Sequence, residues 1–374
     1  MEQLVMVSSC GTSSLTNGAD GEMRDLLRRT ANYGKREYSE EDRQKVDDRV
    51  RCVREKLFSS SPEDVKRVSA ELHGLISYYG NTLSNANRNT HIFLHTDTYQ
   101  GECVAGILVD WMLKQKQNAQ SQAVEGLNTK NADSFREGMS RLVRWCDETI
   151  RGYRDQKYRV VFNLVGGFKV LQGFLQTLGM FFADESVYVF EGEESLLRIP
   201  RLPLDLDDGT KRVMRDNIDL FRRLGWSDGV KRAECASLPE TLVYCAGEEC
   251  VFSPWGDLLW RRIRPDLYAE RVLPSSSAKI RFTKAAEETM KDFDMERRSQ
   301  FNERLDDLAR HLESGRSGNT NVNRLDFKTL EGNPKPPATH EFDLWADRRG
   351  WRGFGHFDGN VFVLDSVGEG IGHR

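Results

Sequence analysis

The densest set of residues able to do acid–base chemistry lies near the end of the chain. Four of the seven histidines (His311, His340, His356, His373) fall in the last 97 of 374 residues, with arginines at Arg348, Arg349, Arg352 and Arg374. Cleaving RNA without a metal requires a base for the 2′-hydroxyl, an acid for the leaving 5′-oxygen and cations for the charge on phosphorus. Histidine, lysine and arginine supply those roles, and an unperturbed imidazole titrates near neutrality. The stretch RRGWRGFGHFDGN also fits an ordinary hairpin with solvated arginines and a packed histidine, and Lys328, Lys335 and His340 fall in or beside a Pro-rich loop. There is no HExxH and no close His/Asp set, so no metal is expected.

A second group of residues suits phosphate binding. Three turns near the start of the chain are rich in small and hydroxyl residues: SSCGTSSLTN (Ser8 to Asn17), TDTYQG (Thr96 to Gly101) and NLVGGFK (Asn163 to Lys169). Each follows a short apolar run and precedes a helical pattern, so in a parallel sheet all three lie at the carboxyl edge, where ligands bind. Glycine lets backbone approach closely, hydroxyls donate to phosphate or ribose oxygens, and Lys169 adds a point charge. Any one of these loops is equally explained by turn chemistry. With neither GxGxxG nor GxxxxGK[ST] present, neither NAD nor ATP is favoured.

The elements that must position these groups divide into three stretches. Residues 1–200 alternate strands (Leu4 to Ser9, His91 to His95, Arg159 to Val165, Ser186 to Phe190) with helices near 39–57, 62–79, 103–116 and 133–152, the pattern of an α/β domain. The run IPRLPLDLDDG (Ile199 to Gly209) breaks the periodicity. Residues 201–277 read as two helices and a hairpin, TLVYCAGEECVFSP, turning at Ala246-Gly247, a winged-helix-like module or a plain linker domain. Residues 278–374 open with a strand (KIRFT), continue with helices near 284–292 and 296–312, and end in several strands, as in an α+β domain.

Length and composition fit this division. A chain of 374 residues exceeds one ordinary core. At 38% hydrophobic and 30% charged, it is neither a membrane nor a low-complexity sequence, and it shows no secretion signal, so a cytoplasmic protein is expected. Seven cysteines without a CxxC pair point to free thiols. A net charge of −4 leaves any nucleic-acid contact to a local patch; residues 278–374 carry 16 Lys and Arg against 17 Asp and Glu.

SSCGTSSLTN and FNLVGGFKVLQGFLQTLGMFFADESVYVFEG (Phe162 to Gly192) closely resemble the CARF domains of CRISPR-associated proteins, Rossmann-like sensors that dimerise around cyclic oligoadenylate. The resemblance implies Gly11, Thr12, Ser13, Asn163, Gly166, Gly167 and Lys169 as ligand contacts, with Thr96 and Asp97 beside them. The order strand, two helices, KTLEG, strand, GWRGFGHF, strand, VLDSVGEG resembles the RelE family of mRNA interferases, which cut mRNA in the ribosomal A site. Arg352 matches that family's Gly-aromatic-Arg element and Lys328 its basic loop residue. The second strand carries Glu341 and Asp343 where the family has lysines, so His340 or His356 is assigned the acid or base role, with Arg352 and Arg349 as phosphorane-stabilising cations.

Together the likenesses imply a cyclic oligoadenylate-activated, ribosome-dependent endoribonuclease of type III CRISPR defence. It would be a homodimer through the CARF domain, with cyclic tetra-adenylate as activator, ribosome and mRNA as partners, and neither a catalytic cofactor nor a membrane involved. The alternative is a non-enzymatic nucleic-acid-binding regulator with an inactive RelE-like domain.

Overall fold

The computed structural model describes residues 3–86, 88–128, 130–190, 195–227, 229–315, 325–331, 335–346 and 350–370. The chain divides into two compact units, Met1–Asp205 and Leu206–Arg374.

In the first unit β1 (Leu4–Ser9) leads to α1 (Ser13–Thr16), α2 (Gly21–Arg29), α3 (Glu40–Ser59), α4 (Pro62–Val68) and α5 (Ala70–Tyr78). Then come β2 (Thr90–Thr96), α6 (Tyr99–Lys114), β3 (Asn118–Val124), α7 (Ala132–Trp145), α8 (Arg151–Asp155), β4 (Arg159–Asn163), α9 (Lys169–Phe182), β5 (Glu185–Val189) and β6 (Leu196–Pro200). The sheet order is β3-β2-β1-β4-β5-β6, parallel except for the antiparallel edge strand β6. β1 is buried along its whole length, as expected of a central parallel strand covered on both faces. Order reverses between β1 and β4, the switch point at which open α/β sheets bind ligands.

Three details differ from expectation. The helix expected at 62–79 is two helices, because Ser69 is extended and caps α5 through its hydroxyl, which accepts from Leu72 N–H. The helix expected from residue 103 begins at Tyr99, capped by Thr98. β3 is an edge strand of mostly polar residues that no apolar run announces.

The second unit begins with α10 (Asp208–Asp216), α11 (Ile218–Trp226), β7 (Val230–Lys231), β8 (Val243–Ala246), β9 (Glu249–Phe252) and α12 (Pro254–Glu270). The strands form an antiparallel sheet in the order β7-β9-β8. The hairpin pairs Ala246 with Glu249, so its turn is Gly247-Glu248, with Gly247 at φ +62°, one residue later than expected. The same register sets Cys245 opposite Cys250, with Cα atoms 3.9 Å apart, and the two form a disulfide. The expectation of free thiols therefore holds for five cysteines and fails for this pair.

The unit continues with β10 (Ile280–Phe282), α13 (Lys284–Met290), α14 (Met295–Glu313), β11 (Lys328–Thr329), β12 (His340–Trp345), β13 (Trp351–Asp358) and β14 (Val361–Glu369). The sheet order is β10-β14-β13-β12-β11, antiparallel except for the β10–β14 pair. Phe301, Leu305 and Leu308 of α14 share one core with Phe342, Leu344, Phe362 and Leu364 of the sheet. α14 is also anchored to the preceding segment. Arg222, 2% exposed, pairs with Asp306 at 2.8 Å, the Tyr268 hydroxyl donates to the same carboxylate, and the Asn302 amide donates to the carbonyls of Tyr268 and Arg271. The architecture is mixed α/β: a parallel doubly wound sheet in one unit and an α+β layer in the other.

Candidate functional site

At the first unit's switch point the loops after β1 and β4 meet backbone to backbone. A Cβ on Gly11 would lie 2.9 Å from Gly167 N, and Gly167 has φ +95°, so both positions require glycine. The Ser9 hydroxyl donates to the Gly166 carbonyl at 2.6 Å, tying the loops together. Beneath them lies Glu71, wholly buried, accepting from Gly11 N–H at 2.9 Å and from the Ser69 hydroxyl at 2.7 Å. Burial pushes the Glu71 carboxyl above its usual range. Thr12 and Ser13 are half-buried at the start of α1, and the Thr12 hydroxyl makes no capping bond.

The other expected ligand positions are placed as follows. Lys169 is exposed at the first position of α9, whose N-cap, Phe168, has no side-chain acceptor to offer the first-turn N–H groups. Asn163 is wholly buried: its amide nitrogen donates to the Ser8 hydroxyl at 3.0 Å and to the Glu71 carbonyl at 2.8 Å. The Thr96 hydroxyl bonds that of Thr98, and exposed Asp97 accepts from Gly126 N–H at 2.7 Å, which secures the loop after β3. The edge therefore carries Gly11, Thr12 and Ser13 on the loop and helix start after β1 and Gly167 and Lys169 on the loop and helix start after β4, with Glu71 bonded to Gly11 and Asn163 bonded to Glu71. Nothing in the sequence pattern marks Glu71, which reads as an ordinary helix carboxylate.

In the second unit, strand alternation sorts the expected catalytic residues by face. Gly353 and Gly355 abut Phe342 and Phe362 on the helix-covered face, so Arg352, Phe354 and His356 point to the opposite one. There Arg352 forms ion pairs with Glu341 and, at 3.1 Å, with Asp343. Lys328 approaches Glu341 at 3.7 Å and Asp326 at 2.5 Å. The hydrogen bond from Arg352 to Glu341 raises the guanidinium's pKa further. His356 Nδ1 lies 2.8 Å from Asp365, an arrangement that fixes the ring's orientation and leaves Nε2 to act. His340 belongs to the other face, stacked on Phe327 at 5.3 Å and edge-on to Phe357; burial lowers its pKa. Arg349 lies outside the described residues.

Lys335, in the Pro-rich loop, joins this face. Its ammonium sits 3.8 Å from the centre of the Phe354 ring, and among the described residues no carboxylate lies within ion-pair distance. Burial lowers its pKa, opposed by the charge of Glu341. One face therefore gathers three cations and a His–Asp pair. Among the described residues no group of three His, Cys, Asp or Glu is placed to hold a metal, and no helix is long and apolar enough to cross a membrane.

Residues 66–202 match the family model described as CRISPR-associated protein (Cas_APE2256). The match supports a CRISPR-associated protein. It runs from α4 to just beyond β6 and so includes Glu71 and the Gly166-Gly167 loop, while Gly11 and the second unit lie outside it. No curated protein matches the chain.

Proposed function

We propose that the chain is an mRNA endoribonuclease of type III CRISPR defence, switched on by a cyclic oligoadenylate, with cyclic tetra-adenylate the first candidate, and acting on ribosome-bound mRNA in the A site. The observation that carries this reading is the gathering of Arg352, Lys328, Lys335 and the His356–Asp365 pair on one sheet face. It occurs in a chain whose other unit matches a CRISPR-associated family and presents glycine loops at a switch point.

On this face His356 Nε2 would take the proton from the 2′-hydroxyl. The 2′-oxygen then attacks phosphorus and the bond to the 5′-oxygen breaks, leaving a 2′,3′-cyclic phosphate and a 5′-hydroxyl that takes its proton from water, while His356 returns its own to solvent. Arg352 and the lysines would stabilise the charge that builds on the non-bridging oxygens. His340, on the opposite face, has no direct part in this scheme. The near-neutral charge of residues 278–374 suits an enzyme to which the ribosome presents its RNA. In the sensor unit, two copies of this sheet edge around a symmetric, phosphate-rich ring would bias one arrangement over another.

The engagement of Arg352 by two carboxylates favours a second reading, in which the face is inactive and the chain is a regulator that binds nucleic acid. Translating ribosomes incubated with the protein, with and without cyclic tetra-adenylate, separate the two when mRNA 5′ ends are mapped. Activator-dependent cuts within the A-site codon support the endoribonuclease. Absence of cuts together with specific duplex-DNA binding supports the regulator.

A further inference from the structure

Glu71 is a buried acid with neutral neighbours. Its carboxylate accepts from Gly11 N–H and the Ser69 hydroxyl, and no ion pair to a described cation balances it. The titratable group that feels its charge is Cys10, itself buried on the loop after β1. Uncompensated burial of a carboxyl is costly, so an apolar residue here would stabilise the fold better unless the acceptors are needed.

The geometry shows what they hold. Glu71 touches three segments at once: the loop after β1 through Gly11, the break between α4 and α5 through Ser69, and the loop after β4. A Cβ on Gly166 would overlap the Glu71 carboxylate, and Asn163 donates to the Glu71 carbonyl at 2.8 Å. Glycine loops are conformationally loose, and loop groups bind a ligand well only when their positions are set beforehand.

We propose that Glu71 is a positioning residue that fixes the spacing between the Gly11 and Gly166-Gly167 loops, and thereby the affinity of this edge for its anionic ligand. The ligand half of this statement rests on the sensor reading above. Glu71→Gln keeps an oxygen for Gly11 N–H, whereas Glu71→Ala removes it. Leu75→Ala, in the same helix and wholly buried in the core, controls for destabilisation alone.

The experiment uses the full chain, with calorimetric titration of cyclic tetra-adenylate and amide hydrogen exchange over residues 8–16 and 163–169. Glu71→Ala should weaken binding at least about tenfold and speed exchange in both loops, with Glu71→Gln restoring both to near wild type. Leu75→Ala should melt earlier with affinity unchanged. Unchanged exchange in Glu71→Ala, an affinity loss in Leu75→Ala as large as in Glu71→Ala, or faster exchange with unchanged affinity would each overturn the proposal. If the wild type binds no cyclic oligoadenylate, the sensor reading falls, and the exchange data decide the brace separately.

Discussion

Arg352 illustrates how a cation's neighbours set its use. Glu341 and Asp343 satisfy its guanidinium in the free protein, so a phosphate must compete with carboxylates for the same donors. The fork geometry matters as well as the charge. In activator-stimulated mRNA cleavage on ribosomes, Arg352→Ala should lower the rate about 100-fold or more, and Arg352→Lys should recover little of it. Wild-type rates in both variants would remove Arg352 from the mechanism. Lys335 provides a pH test. Burial lowers its pKa, so it loses its charge at lower pH than an ordinary lysine. Cleavage by the wild type should fall on the alkaline side before it does in Lys335→Arg, whose charge persists, and coincident alkaline limbs would exclude Lys335. Arg352 and Lys328 are singled out in the sequence by the family resemblance, and His356 by the histidine-rich end of the chain. The placement of His340 on the other face is not legible there, because it depends on strand parity and on Phe327 arriving from a distant turn. The seat of Lys335 over the Phe354 ring and the role of Glu71 become visible only when segments apart in sequence meet.

The break between α4 and α5 shows why element boundaries escape sequence reading. VKRVSAEL keeps helical periodicity, and serine does not force a helix to stop, so one helix over 62–79 is the natural expectation. What breaks it is the Ser69 side chain, which accepts from Leu72 N–H at 3.3 Å and donates to Glu71. Ser69→Ala should cost about 1–2 kcal/mol in urea denaturation, the scale of a lost N-cap. Glu71 adds a pH signature. Its folded-state pKa is raised, so its contribution to stability is full below the carboxyl's unfolded pKa and is lost as pH rises through the folded value. The stability of wild type relative to Glu71→Gln should therefore fall from acid toward neutral pH; a constant difference would show that Glu71 does not titrate differently on folding. The central strands and the helices α13 and α14 are legible in the sequence because apolar period and caps agree there. β3 is not, being a polar edge strand, and α12 is obscured by the internal Pro265.

At the scale of the molecule, the second unit binds its two sequence segments through one buried ionic cluster. α14 presents Phe301, Leu305 and Leu308 to the sheet and Asp306 to Arg222 and Tyr268, so displacement of α11 or α12 acts directly on the helix beneath the candidate catalytic sheet. The sequence suggests a separate module at 201–277 because its Pro and Ser punctuation is local. The Arg222–Asp306 pairing joins residues 84 apart and leaves no local trace. Removing one partner of a buried pair strands the other charge, whereas replacing both by apolar side chains is often neutral. Arg222→Ala should therefore lower the stability of the second unit by about 3–5 kcal/mol, read as an earlier urea transition with that of the first unit unmoved. Arg222→Met combined with Asp306→Leu should recover most of the loss, although Arg222 also donates to the Pro274 carbonyl at 2.5 Å and that bond is not replaced. A double variant as unstable as the single one would mean that the hydrogen bonds to Pro274 and Tyr268, rather than the buried charge, hold the two segments together.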